Sequence, residues 1–301
     1  MNKLAPVFII IAAALWGIDG IVLRPSLFNL SVPLVVFIES TFATILLSPI
    51  FSSRFKKISQ LSGLDWLAFL GVAIFGGAVG TMAIVKALFY VNFVNLSIVI
   101  LIQKLQPVFA ILLAAILLKE KLTLGFFLWA GIAIIGAYLM TFGISLPVFS
   151  TGDKTLVAAL FSLLAAFSFG SSTVFSKRAL KNVGFEVGTF LRFFITSFLM
   201  LILVLSLNLI GEVTNISSGQ FTVFIIIALT TGGPAIFLYY YGLKNISASV
   251  ATICELAFPL SALILEYFVH GRVLDWLQWV GVAILIFGIY MVTHIKMKNG
   301  Q

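Results

Sequence analysis

The sequence predicts an all-α integral membrane protein of ten transmembrane helices, arranged as two inverted five-helix repeats. Three observations predict it. The 301-residue chain is 61% hydrophobic and only 9% charged, whereas soluble domains carry about 25% charged residues. Apolar runs long enough to cross a bilayer, about 20 residues each, recur from end to end. The second half also repeats the first at an offset of about 152 residues. This composition leaves too few charges to coat a soluble surface, and a lone Cys254 excludes a disulfide scaffold.

The spans follow in order. The first run, 4–23, has only Lys3 before it and is too long for a signal-peptide core, so a retained helix is expected. Arg24-Pro25 closes it. Runs 32–51 and 66–88 flank the basic turn Arg54-Phe55-Lys56-Lys57. Run 94–117 contains the polar stretch Gln103-Lys104-Leu105-Gln106-Pro107, and Lys119-Glu120-Lys121 separates it from 124–143. The second half repeats the pattern with runs 156–177, 187–210, 221–241, 247–268 and 275–294. Repeat boundaries are set at 1–146 and 154–296, with a cytoplasmic tail at 297–301. Helices are the expected choice because a span in lipid must satisfy its own backbone. The ten-residue alternation of a membrane β-barrel is absent.

The net charge of +8 is a topology signal. With a cytoplasmic N-terminus, twelve of the 18 Lys and Arg residues fall in cytoplasmic loops and three in outer loops. Lys86, Lys104 and Arg192 remain inside spans. That bias places both termini in the cytoplasm and the chain, multi-pass, in the cytoplasmic (inner) membrane. The partner implied by the basicity is anionic lipid, not nucleic acid.

At an offset of 152, Pro107 meets Pro259, Ala110 meets Ala262, Gly136 meets Gly288, Tyr138 meets Tyr290 and Thr141 meets Thr293. At 153, Trp16-Gly17 meets Phe169-Gly170. Five spans per half force the second half to enter from the opposite face. Two inverted halves are the architecture of alternating-access carriers, with the site at their interface.

Leu15-Trp16-Gly17, the spans of Pro107 and Pro259, the Lys119-Glu120-Lys121-Leu122-Thr123 turn and the five-plus-five arrangement resemble the drug/metabolite transporter superfamily, EamA type. The resemblance implies a central cavity between the halves and transport of small organic metabolites, often outward. The sequence departs from that pattern at Glu39, where Arg is usual, at His270-Gly271-Arg272, and at Gln106-Pro107 and Phe258-Pro259, where Glu-Pro is usual.

Ionisable groups inside a membrane mark a cavity or a partner. Trp16, Asp19, Gln103, Lys104, Gln106 and Glu255 are the candidate substrate-binding residues. Lys104 stands beside Pro107, which kinks its helix as Pro259 kinks span 9. It binds a substrate carboxylate or phosphate, pairs with Glu39 or Asp19, or snorkels to a vestibule. Glu255 is a proton carrier, an acceptor for a substrate amine, or a partner of Arg192. Glu39, Lys86 and Arg192 are candidate gating or ion-pair charges, with snorkelling the simpler role for Lys86. Ser168, Ser172 and Ser176 share one face of span 6 and either line the cavity or bond their own helix. Tyr239, Tyr240 and Tyr241, with Trp66, Trp276 and Trp279, fit an interfacial aromatic belt. Gly76-xxx-Gly80 serves packing within the chain or a homodimer contact, so monomer and homodimer both remain.

No nucleotide-binding loop, metalloprotease motif or serine elbow is present. Two histidines and one cysteine supply no metal cluster, so neither an enzyme nor a cofactor is expected. The expected function is a secondary transporter of a small polar or zwitterionic metabolite, an amino acid or relative. Its direction would be outward, and protons are a candidate coupling ion. The alternatives are an exchanger or importer of a larger nucleotide-like or sulfonium compound, or a non-transporting scaffold.

Overall fold

A computed structural model describes residues 4–52, 58–59, 61–90, 99, 102–144, 153–270 and 273–295. Among them no strand occurs. Among the described residues, nine helices are long and apolar enough to cross a membrane: Ala5–Leu27, Val32–Phe51, Gly63–Leu88, Leu124–Phe142, Leu156–Ala179, Phe185–Ser206, Ser218–Asn245, Ala248–Leu265 and Trp276–His294. These are spans 1–3 and 5–10. A shorter apolar helix, Gln106–Leu117, belongs to span 4, of which residues 94–98 and 100–101 lie outside the described residues.

Polar residues at the span ends start the helices. Ser62 with Asp65, Ser217 with Gln220, and Asp275 with Gln278 form reciprocal capping boxes. Each box satisfies backbone donors that the first turn leaves free. Thr123 and Ser247 cap spans 5 and 9 in the simpler way. Gly143 ends span 5 at φ 60°, a conformation L side chains rarely adopt.

Span 1 packs against spans 8 and 9, whereas span 6 packs against spans 3 and 4. Span 2 packs against span 7, and span 5 against span 10. Exchanging each span for its partner five places on reproduces this set of contacts, which is what an inverted repeat requires.

The paired glycines explain why the repeat survives in the sequence. A Cβ on Gly17 would lie 3.0 Å from the Ala262 amide nitrogen, and one on Gly170 would lie 3.0 Å from that of Ala110. Gly17 with Gly170 and Ala110 with Ala262 are matched pairs in the two halves. They bring span 1 against span 9 and span 6 against span 4. At the span 5–span 10 contact, a Cβ on Gly288 would sit 2.8 Å from the Ala133 backbone, and one on Gly136 would run into Leu285. Small residues at these crossings allow close backbone approach in lipid.

Five spans depart from regular α-helix. Asp19–Leu23, Val72–Val79 and Ala228–Gly232 are π-helical. Spans 4 and 9 break at Lys104–Leu105 and Glu255–Leu256, each just before a proline-bearing helix.

Gly288→Val should lower stability by about 1–3 kcal/mol through overpacking. Gly131, in span 5 and facing open space, should tolerate Ala without loss. Thermal unfolding of the two variants in one detergent compares them directly.

Candidate functional site

The five irregular spans surround one cavity of about 360 Å³. Spans 1–4 and 6–9 contribute to its lining, while spans 5 and 10 do not. Trp16, Asp19, Glu39, Gln103, Lys104, Gln106, Pro107, Arg192, Glu255 and Pro259 all border it.

The sequence reading missed Arg24, which it placed in an outer loop. Arg24 is half-buried among the spans, and its Nε donates to Asp19 Oδ2 at 2.9 Å. Its Nη2 reaches Asp19 Oδ2 at 2.5 Å and Glu39 Oε2 at 3.5 Å. The cause is local. The π-helical turn hydrogen-bonds the Arg24 amide to the Asp19 carbonyl, so residues five apart stand one above the other. A regular α-helix aligns residues three and four apart instead. Thr231 adds a hydroxyl 3.4 Å from Asp19 Oδ1.

This triad bears on the ion pairs expected of Lys104. Asp19 and Glu39 are taken by Arg24, and the Lys104 ammonium makes neither of the expected ion pairs. Lys104 is 7% exposed, and its Nζ has no hydrogen-bond partner among the described residues. Arg24 Nη1, Glu39 Oε1, Thr196 Oγ1 and Thr252 Oγ1 are also buried, on cavity-lining residues, without partners. Buried polar atoms are ordinarily satisfied, so these mark where the wall has spare bonding capacity.

Glu255 makes no ion pair with Arg192. Gln106 Nε2 donates to its Oε2 at 2.6 Å. Tyr239 Oη and Thr173 Oγ1 donate to its Oε1 at 2.7 and 3.2 Å. The Gln106 bond joins the broken helix of span 4 to that of span 9. Because a carboxylate only accepts, the Gln106 amide turns its nitrogen to Glu255 and its carbonyl away. Arg192 instead stands over the Tyr240 ring, 5.9 Å from its centroid, with Nη1 3.5 Å from the hydroxyl.

Other expectations need correction. Tyr239 and Tyr240 are buried and belong to no interfacial belt. Tyr239 borders the cavity beside Trp16, with ring centroids 5.4 Å apart, and Tyr240 bonds Ser176 at 2.8 Å. Trp66, Trp276 and Trp279 are exposed near the starts of their helices. Of the three serines of span 6, only Ser172 borders the cavity. Lys86 is exposed and outside it, with Nζ 5.8 Å above the Phe161 ring and no ion pair among the described residues. Its length and position near a span end allow it to leave the lipid. Gly76 packs within the chain, against Ser172 and Arg192.

A second polar cluster lies at the opposite ends of the spans from Arg24. Fully buried Asp65 accepts from Arg178 at 2.7 Å and from Asn182 at 2.9 Å. Glu120 accepts from the Ala248 and Ser249 amides at 2.8 and 3.1 Å and from the Ser249 hydroxyl at 2.6 Å. The Lys119-Glu120-Lys121 turn thus caps the helix of span 9. Its counterpart near 271–272 lies outside the described residues. Among the described residues, no three His, Cys, Asp or Glu side chains form a metal site.

Nine membrane-crossing helices and a shorter apolar one, packed among the described residues around a cavity with charged groups in its wall, have the architecture of a membrane carrier. The model of the EamA-like transporter family matches residues 3–142 and 156–294, and the chain belongs to that family. It is 47% identical over 287 residues to the riboflavin transporter ImpX of Fusobacterium nucleatum, covering 95% of this chain and 96% of the relative. It is 24% identical over 260 residues to the uncharacterized transporter sll1164 of Synechocystis, covering 82% and 71%. A crystal structure with 15% identity superposes with a TM-score of 0.73 over 99% of this chain and 98% of the other.

Arg24→Gln should destabilise the protein by about 3 kcal/mol, because it leaves two carboxylates buried without their cation. Adding Asp19→Asn should restore much of that loss. A double-mutant cycle in detergent unfolding measures the coupling.

Proposed function

We propose that this protein is a secondary transporter of riboflavin or a closely related flavin, working by alternating access in the cytoplasmic membrane. The observation that supports it most is the character of the cavity wall. It combines aromatic faces with unpartnered polar atoms contributed by both halves. Trp16, Tyr239, Phe169, Phe193 and Phe258 border it, and flat rings stack well on such faces. A volume of about 360 Å³ falls within the range of about 300–1,000 Å³ that holds compact organic ligands.

A flavin matches this wall chemically. Its pyrimidinedione edge presents two carbonyl oxygens flanking an N–H. Lys104 offers a free ammonium, and Gln106 turns a carbonyl away from Glu255. The ribityl hydroxyls both donate and accept, as Arg24 Nη1, Glu39 Oε1, Thr196 and Thr252 require. This reading favours a larger, ring-bearing substrate over the amino acid expected from the sequence. The whole-chain likeness to a relative named for riboflavin supports it. The lysine and arginine distribution supports cytoplasmic termini. Without nucleotide-hydrolysing machinery, net flux follows the gradients of substrate and coupling ion.

Riboflavin fluorescence should be quenched on titration with the purified protein. Lys104→Met should weaken binding about 10–100-fold, the loss of a charge-assisted hydrogen bond worth about 1.5–3 kcal/mol. Lys86→Met should bind as the parent does. Equal affinity in Lys104→Met and the parent would remove Lys104 from the site, and no quenching at all would remove the flavin.

A further inference from the structure

We propose that Glu255 binds a coupling proton, and that Tyr239 and Thr173 form a reversible hydroxyl relay that satisfies it in both charge states. The proposal rests on the transporter reading above and adds its energy source.

The three carboxylates on the cavity are held differently. Asp19 and Glu39 share Arg24, and protonating either would break an ion pair. Glu255 has no cationic nitrogen within 4 Å among the described residues, and its three donors are all neutral. The charged or titratable groups around it are Tyr239 and Tyr240 from span 8, Arg192 from span 7, Lys104 from span 4 and Cys254 on its own span. Asp19, Arg24 and Glu39 lie across the cavity. Glu120 sits at the far end of the same helix.

The donor set can reverse. In the ionised state Tyr239 and Thr173 both donate to Oε1. Tyr239 and Thr173 also lie 3.0 Å from one another, with either able to donate, and Thr173 Oγ1 lies 3.3 Å from the Phe169 carbonyl. When a proton from cavity water bonds to Oε1, the new O–H donates to Tyr239. The Tyr239 hydroxyl then rotates to donate to Thr173, and Thr173 rotates to donate to the Phe169 carbonyl. One O–H bond forms on Glu255 as one breaks in a hydronium ion, which departs as water; none breaks in the relay, and every oxygen keeps a partner. Gln106 donates to Oε2 throughout.

The consequence reaches across the halves. The Gln106–Glu255 bond ties the break in span 4 to the break in span 9. Bonds to an ionised acceptor are about twice as strong as neutral ones, so protonation loosens this tie and biases the separation of the two halves.

Infrared pH-difference spectroscopy on the purified protein tests the site without any substrate. A protonated-carboxyl band should titrate in the parent and be missing in Glu255→Gln. Tyr239→Phe, which keeps the carboxyl, should move the midpoint by about one pH unit, tenfold in proton affinity. In vesicles holding the parent protein, a pH gradient should drive net riboflavin accumulation. Gradient-free riboflavin counterflow in the same vesicles tests the substrate separately. A band that persists in Glu255→Gln, or counterflow that proceeds while a pH gradient changes nothing, would overturn the proton site. Absent counterflow would sink the flavin reading, while the infrared titration would still decide the role of Glu255.

Discussion

A polypeptide crossing lipid must satisfy each backbone hydrogen bond within its own helix, and irregular backbone survives only where protein or a cavity covers it. In this molecule every irregular stretch among the described spans faces the same place. The π-helical turns of spans 1, 3 and 8 and the breaks in spans 4 and 9 all contribute residues to one cavity. Spans 5 and 10 are regular helices and pack on each other outside it. The backbone constraint therefore sorts the spans into scaffold and site before any side chain is considered. Each departure also re-aims a side chain. The π turn lifts Arg24 over Asp19, and the break at Lys104–Leu105 leaves an ammonium beside the cavity with no partner among the described residues.

Electrostatics then divides the cavity. Five of its charges fall into two groups of opposite character. Arg24 is shared by two acids, and the remaining acid, Glu255, takes only neutral donors while Arg192 rests on a tyrosine ring. An ion cannot leave a buried pair without exposing its partner, at a cost of several kcal/mol. The triad is therefore suited to holding spans 1 and 2 together. Glu255, supported by an amide and two hydroxyls, can change its charge while its neighbours merely rotate. Lys104 belongs to neither group, which makes it the charge with the most to gain from a solute.

How much of this was legible follows from what each feature depends on. The spans were legible because lipid demands long apolar runs. The exchanged packing was legible because Gly17 with Gly170 and Gly136 with Gly288 must stay small where backbones touch. Most of the residues proposed to line the site were legible because a polar group in a span has few other places to go. Arg24 was not, since a basic residue next to Pro25 at the end of an apolar run reads as a loop, and nothing in the composition announces a π turn. Tyr239 and Tyr240 were misplaced for a related reason. A tyrosine cluster at a span end fits an interface equally well, and only the crossing of span 8 over span 6 turns those hydroxyls inward. Glu120 was noticed as part of a turn motif, but its partners, the Ala248 and Ser249 amides, are 128 and 129 residues away.

The inverted repeat gives the two halves backbones that match except at the π turn of span 1, which span 6 lacks, and their cavity residues do not match. Glu39 corresponds to Arg192, Asp19 to Ser172 and Gln103 to Glu255, and all six border the cavity. Matched backbones supply two arrangements of comparable energy related by exchange of the halves, which alternating access needs. Unmatched side chains supply a single site with a definite orientation, which recognition needs. Were the residues symmetric as well, a bound molecule would meet the same groups in either of two poses, and a charge at one position would face its own likeness across the axis. The divergence at these three pairs replaces that repulsion with acid facing base or carboxylate facing hydroxyl or amide. Symmetry is retained in the glycines and alanines that set the crossings and abandoned at the polar positions where chemistry is done.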